Sequence, residues 1–259
     1  MYKKSLLLIL IIVSFSQWAQ SQDKTKLPKN RIGVQVGLNN LLFKDLVFSP
    51  LNYNGQGIGG TVFFQRLIKK KNLFTSSVNF SSTIIAAGDI SGTRTVNQKF
   101  SVELNYLYCL TSIKNRFNIY TGGRLSSHID NTSFEDGNAI TYFNFHGLSL
   151  AGRFDYHLND RHQLISAMKI PIWGNLVRPV QTGWDNEFFE ESGLATLYNG
   201  EFVFIGNFFR IEWANFYQYK LSKKIDLTFQ IDIQYFQTSK PALVKMMKTQ
   251  VSIGSNLKF

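Results

Sequence analysis

The stretch from Ile225 to Tyr235, which reads I-D-L-T-F-Q-I-D-I-Q-Y, decides the fold class. Apolar and polar residues alternate strictly along it. Because successive side chains of a β-strand point to opposite faces, the stretch predicts a strand with one apolar and one polar face. The segments Met247–Phe259 and Val96–Leu110 alternate in a similar way. The chain is therefore predicted to be all-β.

Segments of this kind follow one another along the chain and predict a transmembrane antiparallel up-and-down β-barrel of about ten strands. They lie near 31–39, 57–68, 73–85, 95–110, 116–128, 140–158, 162–173, 201–220, 224–237 and 243–259. Short connections near 69–72, 112–115, 159–161 and 222–223 alternate with longer ones near 40–56, 86–94, 129–139, 174–200 and 238–242. Short turns at one end and longer loops at the other are typical of outer-membrane barrels. An even number of strands places both chain ends on the short-turn, periplasmic side.

The first 21 residues have the organisation of a secretory signal peptide. A basic start at Lys3 and Lys4 precedes an apolar run from Leu6 to Phe15, and small residues follow at Ala19-Gln20-Ser21. A transmembrane anchor is the alternative, but a spanning helix needs about 20 apolar residues and this run is shorter. We therefore expect residues 1–21 to be removed during export. Residues 22–259 are then expected to form one barrel domain in the outer membrane.

Composition and charge narrow the classes of partner. The 259 residues carry 28 basic and 17 acidic side chains, a formal net charge of +11. Loss of Lys3 and Lys4 with the signal peptide leaves 26 basic against 17 acidic residues, or +9. Since an exported chain seldom meets nucleic acid, we expect this charge to attract anionic lipid headgroups. The expected partners are outer-membrane lipids and lipopolysaccharide, and the protein is expected to be a monomer that binds no nucleic acid.

The last eight residues, Ser252 to Phe259, read S-I-G-S-N-L-K-F. A polar residue, a glycine two positions later, alternating apolar residues and a final aromatic residue resemble the terminal signal of bacterial outer-membrane β-barrels. The resemblance implies that Gly254, Leu257 and Phe259 are recognised by the barrel-assembly machinery, which becomes an expected partner. It identifies this broad class of barrels and no subfamily.

A water-soluble β-sandwich or lipocalin-like barrel is the structural alternative, because alternation alone does not say which face is inside. The signal peptide, the final Phe259 and the aromatic strand ends favour the membrane barrel. These strand-end residues are Tyr106, Tyr108, Tyr156, Tyr217 and Tyr219. The region 140–147 is the least regular, and we expect Phe143 and Phe145 there to require a bulge or an interface position.

The strongest enzymatic candidate is Ser127-His128-Ile129-Asp130-Asn131, placed where the fifth strand should emerge at the outer end. It is similar to the His-x-Ser-Asn pattern of outer-membrane lipid A deacylases, with Asp130 where the serine nucleophile of that family would stand. The omptin proteases also have ten strands and use acidic residues with a histidine at the outer rim. Asp89, His128, Asp130, Asp185 and Glu187 loosely imitate that set of residues. The alternative is a solvated loop entry without catalysis, since a general base must lie within hydrogen-bond reach of its proton.

Two further features suggest binding sites less specifically. Residues 55–60 are glycine-rich, but a phosphate loop must be followed by a helix, whereas the next residues read as a strand. Loop flexibility or space for lumen side chains is the expected role of these glycines. The long connection 174–200 contains Trp184, Asp185 and Glu187, which could bind a ligand at the surface or pack as a lid. No metal-ligand spacing emerges, and no cofactor is expected.

Long side chains of both signs fall on the faces predicted to point into the barrel. They are Glu103, Arg124, Arg153, Asp155, Lys169, Arg210, Glu212, Asp226, Asp232 and Lys248. The spacing suggests that Glu103 faces Arg124 and that Asp232 faces Lys248, where opposite charges attract. Because small barrels are filled by their own side chains, we expect a structural or surface-binding barrel with a largely filled lumen. The alternatives are a narrow pore for small solutes and an outer-membrane hydrolase acting on lipid A or peptides.

Overall fold

The computed structural model describes residues 29–68, 71–88, 94–113, 116–134, 140–179 and 198–259. The strands are β1 (Asn30–Asp45), β2 (Ser49–Ile68), β3 (Asn72–Ala86), β4 (Thr95–Ile113), β5 (Phe117–Phe134), β6 (Ile140–His157), β7 (His162–Val177), β8 (Glu201–Phe204), β9 (Phe208–Lys220), β10 (Ile225–Thr238) and β11 (Val244–Lys258). The predicted signal peptide, 1–21, lies outside the described residues. Within the described ranges, no helix is long and apolar enough to cross a membrane.

The strands form one closed antiparallel barrel. Strands that follow one another in the chain lie side by side, and β1 pairs with β11 to close the sheet. Strands β8 and β9 both pair with β7 and are separated only by residues 205–207, so that together they occupy one position in the wall. The wall therefore has ten positions, which confirms the predicted ten-stranded up-and-down barrel. The strand predicted over 201–220 is interrupted at this break.

The seam between the two chain ends is continuous. Residues of β1 and β11 are paired without a break from Arg31–Lys258 to Asp45–Val244. The amide of Asn30 donates to the carbonyl oxygen of Phe259 at 3.1 Å, and the amide of Phe259 donates back to Asn30 at 3.0 Å. We call this end, with the connections 69–71, 114–116, 158–161 and 221–224, the short-turn end, and the opposite end the loop end.

The two faces of the wall are the reverse of those of a water-soluble barrel. Outward-facing apolar side chains are uncovered, with Leu38 70%, Ile58 65% and Ile253 64% exposed. Inward-facing polar side chains are covered, with Ser101 2% and Asn256 1% exposed. An uncovered apolar belt is unfavourable in water and suits contact with lipid. The polar face lines the lumen, so the lipocalin-like alternative, which needs an apolar interior, does not fit.

The first strands run further toward the loop end than the sequence predicts. Residues 40–56 are predicted to be a long loop, but β1 continues to Asp45 and β2 begins at Ser49. Most outward positions there are polar, as at Asn40 and Asn54, although Leu42 is an apolar exception. The hydropathy pattern of a membrane strand therefore ends before the hydrogen-bonded ladder does.

The glycine-rich stretch 55–60 lies inside β2, so its predicted loop flexibility is wrong. A Cβ atom on Gly55 would overlap with the carbonyl oxygen of Ile84 on β3. At Gly59, a Cβ atom would lie 2.9 Å from Oε1 of Gln250, which points into the lumen. The glycines allow the neighbouring strands to approach closely and leave space for lumen side chains.

Apolar side chains fill the lumen near the loop end and form what we call the apolar layer. Its members are Leu41, Phe43, Phe48, Tyr53, Ile85, Ala87, Phe143, Phe145, Leu176, Val203, Phe208, Phe236, Val244 and Met246. Phe143 and Phe145 thus point inward in an unbroken β5–β6 ladder. The bulge lies further along, between Leu148 and Ser149, where β6 pairs with β7. The expected bulge within 140–147 is therefore wrong, because the two rings are accommodated inside the barrel.

Candidate functional site: the barrel lumen

The most deeply buried charges meet in the middle of the lumen. Arg124 on β5 is 0% exposed, and its Nη2 donates to Oε1 of Glu212 on β9 at 2.9 Å. Its Nη1 lies 3.3 Å from Oε2 of Glu103 on β4. Strands β5 and β9 are not neighbours in the wall, so the contact between Arg124 and Glu212 crosses the lumen.

Two further cations complete this group. Nζ of Lys169 on β7 donates to Oε2 of Glu103 at 2.8 Å, and Nη2 of Arg210 on β9 lies 2.7 Å from Oε1 of Glu212. Two carboxylates are thus shared by three cations. Buried charges are tolerated when they are paired, and removal of one partner costs about 3–5 kcal/mol. We call Glu103, Arg124, Lys169, Arg210 and Glu212 the central charge group.

Two lysines cross the adjoining part of the lumen in opposite directions. Nζ of Lys99 on β4 donates to Oε1 of Gln234 on β10 at 2.7 Å. Nζ of Lys248 on β11 donates to Oγ of Ser81 on β3 at 2.6 Å. In the wall, Lys99 is paired with Ser81, and Lys248 is paired with Gln234. The ammonium group of each lysine therefore contacts the residue that is paired with the other lysine. Together the two side chains obstruct the lumen.

Asp232 and Lys248 do not face each other as predicted. Asp232 is paired with Gln250 in the wall and accepts a hydrogen bond from Nε2 of Gln230. The midpoint of each β10–β11 pair falls at residue 241, one residue past the predicted centre at Lys240. Since a shift of one residue in the midpoint moves the partner by two positions, Lys248 meets a glutamine instead.

Glu103 and Arg124 are also offset in the wall, where they pair with Ser126 and Asn105. A bulge between Cys109 and Thr111 shifts the β4–β5 register. The two side chains nevertheless meet, because both are long enough to cover the offset.

The remaining predicted lumen charges lie nearer the short-turn end, apart from the central charge group. Nε of Arg153 donates to Oδ1 of Asp155 at 2.6 Å, both on β6. Asp226 on β10 accepts a hydrogen bond from Nζ of Lys258 on β11 at 2.6 Å. Lys99 and Lys258 are missing from the set predicted above, although both fall on the polar face of an alternating strand, which is the signal that marks them.

The apolar layer covers the central charge group on the side of the loop end. Ring centroids lie 4.2 Å apart for Phe143 and Phe236 and 4.7 Å apart for Phe145 and Phe208. The ring of His128 stacks on Phe145 at 6.4 Å, at the boundary between apolar and charged side chains. An apolar interior without hydrogen-bond partners does not hold water. The layer therefore separates the charged part of the lumen from the loop end.

A buried ion pair between Arg178 and Asp45 connects strand ends on the loop-end side of the apolar layer. Nη2 of Arg178 donates to Oδ1 of Asp45 at 2.8 Å, and these side chains are 1% and 2% exposed. Nη1 of Arg178 donates to the carbonyl oxygens of Lys240 and Ala242. Burial lowers the pKa of Arg178 from its ordinary value, while the Asp45 carboxylate opposes that shift. The pair joins the end of β1, the residue after β7 and the β10–β11 connection.

A polar cavity of about 190 Å³ extends from the crossing lysines toward the short-turn end. Amide side chains such as Gln35, Asn79 and Gln230 line it together with hydroxyl, charged and apolar side chains, among them Glu103 and Glu212 of the central charge group. A polar space of this size can hold several water molecules. The lumen is therefore blocked by apolar side chains toward the loop end and suited to water in its short-turn half.

The two catalytic candidates, His128 and Asp130, lie inside the lumen. Their prediction at the outer rim is wrong, because β5 continues past them to Phe134. Nδ1 of His128 lies 3.4 Å from Nη2 of Arg210, and Asp130 accepts a hydrogen bond from Nδ2 of Asn97. Asp89, Asp185, Glu187 and the surface candidate Trp184 lie outside the described residues. In the part of the chain that the structure describes, no three His, Cys, Asp or Glu side chains are grouped to hold a metal ion.

Gly254, Leu257 and Phe259, the three residues predicted to form a terminal assembly signal, lie along the β1–β11 seam. A Cβ atom on Gly254 would overlap with the carbonyl oxygen of Val34 on β1, so the close approach of the two strands requires glycine. Leu257 is paired with Ile32, and both point outward. Phe259 completes the ladder at the short-turn end. The predicted signal thus lies in β11, the strand that closes the barrel against β1.

No protein-family model matches the chain, and no curated protein sequence matches it. Solved structures of outer-membrane proteins are similar in fold. The outer membrane protease OmpT from Escherichia coli has a TM-score of 0.57 at 8% identity, over 93% of this chain and 100% of that chain. The transport unit of the autotransporter AIDA-I from Escherichia coli has a TM-score of 0.45 at 10% identity, over 96% and 97% of the two chains. Neisserial surface protein A has a TM-score of 0.38 at 12% identity, over 88% and 97%. The first similarity shows a shared barrel fold and nothing about activity.

Proposed function

We propose that the chain is an integral outer-membrane β-barrel with a closed lumen, acting as a structural or surface-binding barrel rather than as a channel. The uncovered apolar wall, the predicted export signal and the barrel fold support this location. The observation that carries the closed lumen is the contact between Arg124 and Glu212, a buried ion pair that crosses from β5 to β9.

Passage of an ion along the barrel axis is opposed in two places. The ion would have to part the central charge group, in which Lys169 holds Glu103 at 2.8 Å and Arg210 holds Glu212 at 2.7 Å. It would then enter the apolar layer, where a charge loses its hydration without gaining a partner. The polar cavity supports the narrow-pore alternative, but it ends beneath the apolar layer.

The hydrolase alternative has less support from the geometry. The apolar layer lies between His128 and the loop end, whereas a general base must reach a proton of its substrate. A molecule recognised by this barrel would therefore bind to its outside. The connection between β7 and β8, with Trp184, Asp185 and Glu187, is our candidate surface because long connections at a barrel mouth commonly carry binding residues.

Solute flux into proteoliposomes tests the closed lumen. Vesicles containing the wild-type barrel are expected to swell no faster in an isotonic sugar solution than protein-free vesicles. A variant with serine at Arg124, Phe145, Glu212 and Phe236 removes both members of the central ion pair and opens the apolar layer. This variant should swell once its folding has been checked by the electrophoretic mobility of the unheated protein. Rapid swelling with the wild type would overturn the proposal.

A further inference from the structure

Exposed cations are concentrated at the short-turn end of the barrel. We call the following six exposed residues the basic rim: Lys29, Arg66, Lys71, Arg116, Arg161 and Lys223. Among the described residues, none of the six takes part in an ion pair. Asp160 is the one acidic residue in the described part of the short-turn connections. Six cations against this one carboxylate make the described part of the rim strongly positive.

Cations elsewhere in the barrel are better compensated. At the loop end, Arg178 is paired with Asp45 and Lys240 with Glu201. The other loop-end cations of the described chain, without an ion pair, are Lys44, Arg94 and Lys245. In the lumen, the central charge group shares its two carboxylates among three cations. The excess of positive charge in the described chain thus lies mainly at the short-turn end, where it can attract an anionic partner outside the barrel.

The basic rim surrounds the barrel rather than forming a patch on one side. Its members precede β1, end β2, or lie in the connections after β2, β4, β6 and β9. A protein partner would cover one side of the wall, whereas a membrane leaflet meets the wall all the way round. The distribution around the perimeter therefore favours lipid headgroups over a single macromolecular partner.

One part of the rim has the form of a lipid site. A groove on the wall is lined by Lys29, Phe64, Arg66, Leu67, Ile68 and Phe74. Its lining combines two cations with four apolar side chains, and Arg66 is paired in the wall with Phe74. A guanidinium group binds phosphate oxygens with two parallel hydrogen bonds, and the phenylalanine rings offer apolar surface to an acyl chain.

We propose that the basic rim binds the anionic phospholipid headgroups of the leaflet at the short-turn end, with the Lys29–Arg66 groove as its best-formed site. This inference rests on the proposed function, since the barrel must span a membrane for the rim to meet a leaflet. The ligand is a phosphodiester lipid with a net negative charge, such as phosphatidylglycerol. The rim holds such lipids by charge and by the adjacent apolar wall.

Lipid selectivity of the reconstituted full-length barrel tests the inference. Spin-labelled phosphatidylglycerol and spin-labelled phosphatidylcholine are compared in phosphatidylcholine vesicles, and the fraction of each label immobilised by the protein is measured. Because one basic residue near anionic lipid favours association by a factor of about five, we expect a preference of that order for phosphatidylglycerol. The preference should weaken at high salt, since exposed charges are screened.

Matched variants locate the preference. The variant Arg66→Gln, Arg116→Gln, Arg161→Gln removes three of the six rim cations and should show a clearly weaker preference for phosphatidylglycerol than the wild type. The control variant Lys44→Gln, Arg94→Gln, Lys245→Gln removes the same charge from the loop end and should keep the wild-type preference. Equal binding of both lipids by the inserted wild-type barrel, or a preference lost only in the control, would overturn this inference alone. Failure to insert into any vesicle would overturn both the inference and the proposed membrane location.

Discussion

Glu212 is the residue whose loss should destabilise the lumen most. It holds two guanidinium groups, those of Arg124 at 2.9 Å and Arg210 at 2.7 Å, whose side chains are 0% and 2% exposed. In Glu212→Ala, Arg124 keeps only Glu103, at 3.3 Å, and Arg210 loses its ion-pair partner. Since an unpaired buried charge costs about 3–5 kcal/mol, we expect the free energy of unfolding to fall by about 4 kcal/mol.

Two matched substitutions set the scale for this effect. In Glu103→Ala, Arg124 keeps Glu212, and the partly exposed side chain of Lys169, at 24%, can be solvated. We therefore expect a smaller loss of about 2 kcal/mol, the usual cost of leaving a buried polar group without its partner. Glu201→Ala breaks the exposed pair with Lys240 and should cost about 1 kcal/mol or less.

Urea unfolding in phospholipid vesicles, followed by tryptophan fluorescence, measures these free energies under one set of conditions. The expected order of stability is wild type, then Glu201→Ala, then Glu103→Ala, then Glu212→Ala. A Glu212→Ala barrel within about 1 kcal/mol of the wild type would refute the reasoning, because two buried arginines would then not depend on that carboxylate. A Glu103→Ala barrel less stable than Glu212→Ala would refute it as well.

Other substitutions test the wall and its closure. Ile231→Arg, at an outward position, should lower the free energy of unfolding by about 2–4 kcal/mol in the same titration, whereas Ile231→Leu should change it little. Single cysteines at Ile231 and Asp232, in a Cys109→Ser background, should differ in labelling by a small aqueous thiol reagent, with the inward position at 232 labelled more; equal labelling would contradict the alternation. Deletion of Phe259 should reduce the folded barrel recovered in outer-membrane fractions, and a normal yield would count against a role of the terminal residue in assembly.

The number of strands and the direction of their side chains could be predicted because the outward belt is apolar wherever the wall meets lipid. This pattern of apolar outward and polar inward residues fails near the loop end, where apolar residues occupy the inward positions instead. Along β1, Val34, Val36 and Leu38 point outward, while Leu41 and Phe43 point inward. A barrel that leaves the lipid buries apolar residues inside, as a soluble protein does. The hydropathy pattern therefore predicts loops where the strands continue, and an irregular region where Phe143 and Phe145 point inward from a regular strand.

The lumen charges could be predicted as a set, but their partners could not. Parity along a strand gives the face of a residue, whereas the partner depends on the register across each turn. Lys240 is the predicted centre of the β10–β11 pairing, but the pairs are centred on residue 241. Lys248 is therefore paired with Gln234, and its Nζ contacts Ser81 rather than Asp232. Contacts between strands that are not neighbours, such as Arg124 with Glu212, depend on the closed shape of the barrel and leave no local pattern in the sequence.

The ion conductance of the wild-type barrel in planar lipid bilayers tests the closed lumen most directly. The central charge group and the apolar layer predict a membrane that stays at its baseline current after the folded barrel has inserted, with no steady conductance steps. Large, long-lived and voltage-independent steps from the unmodified protein would contradict the closed lumen and favour a pore.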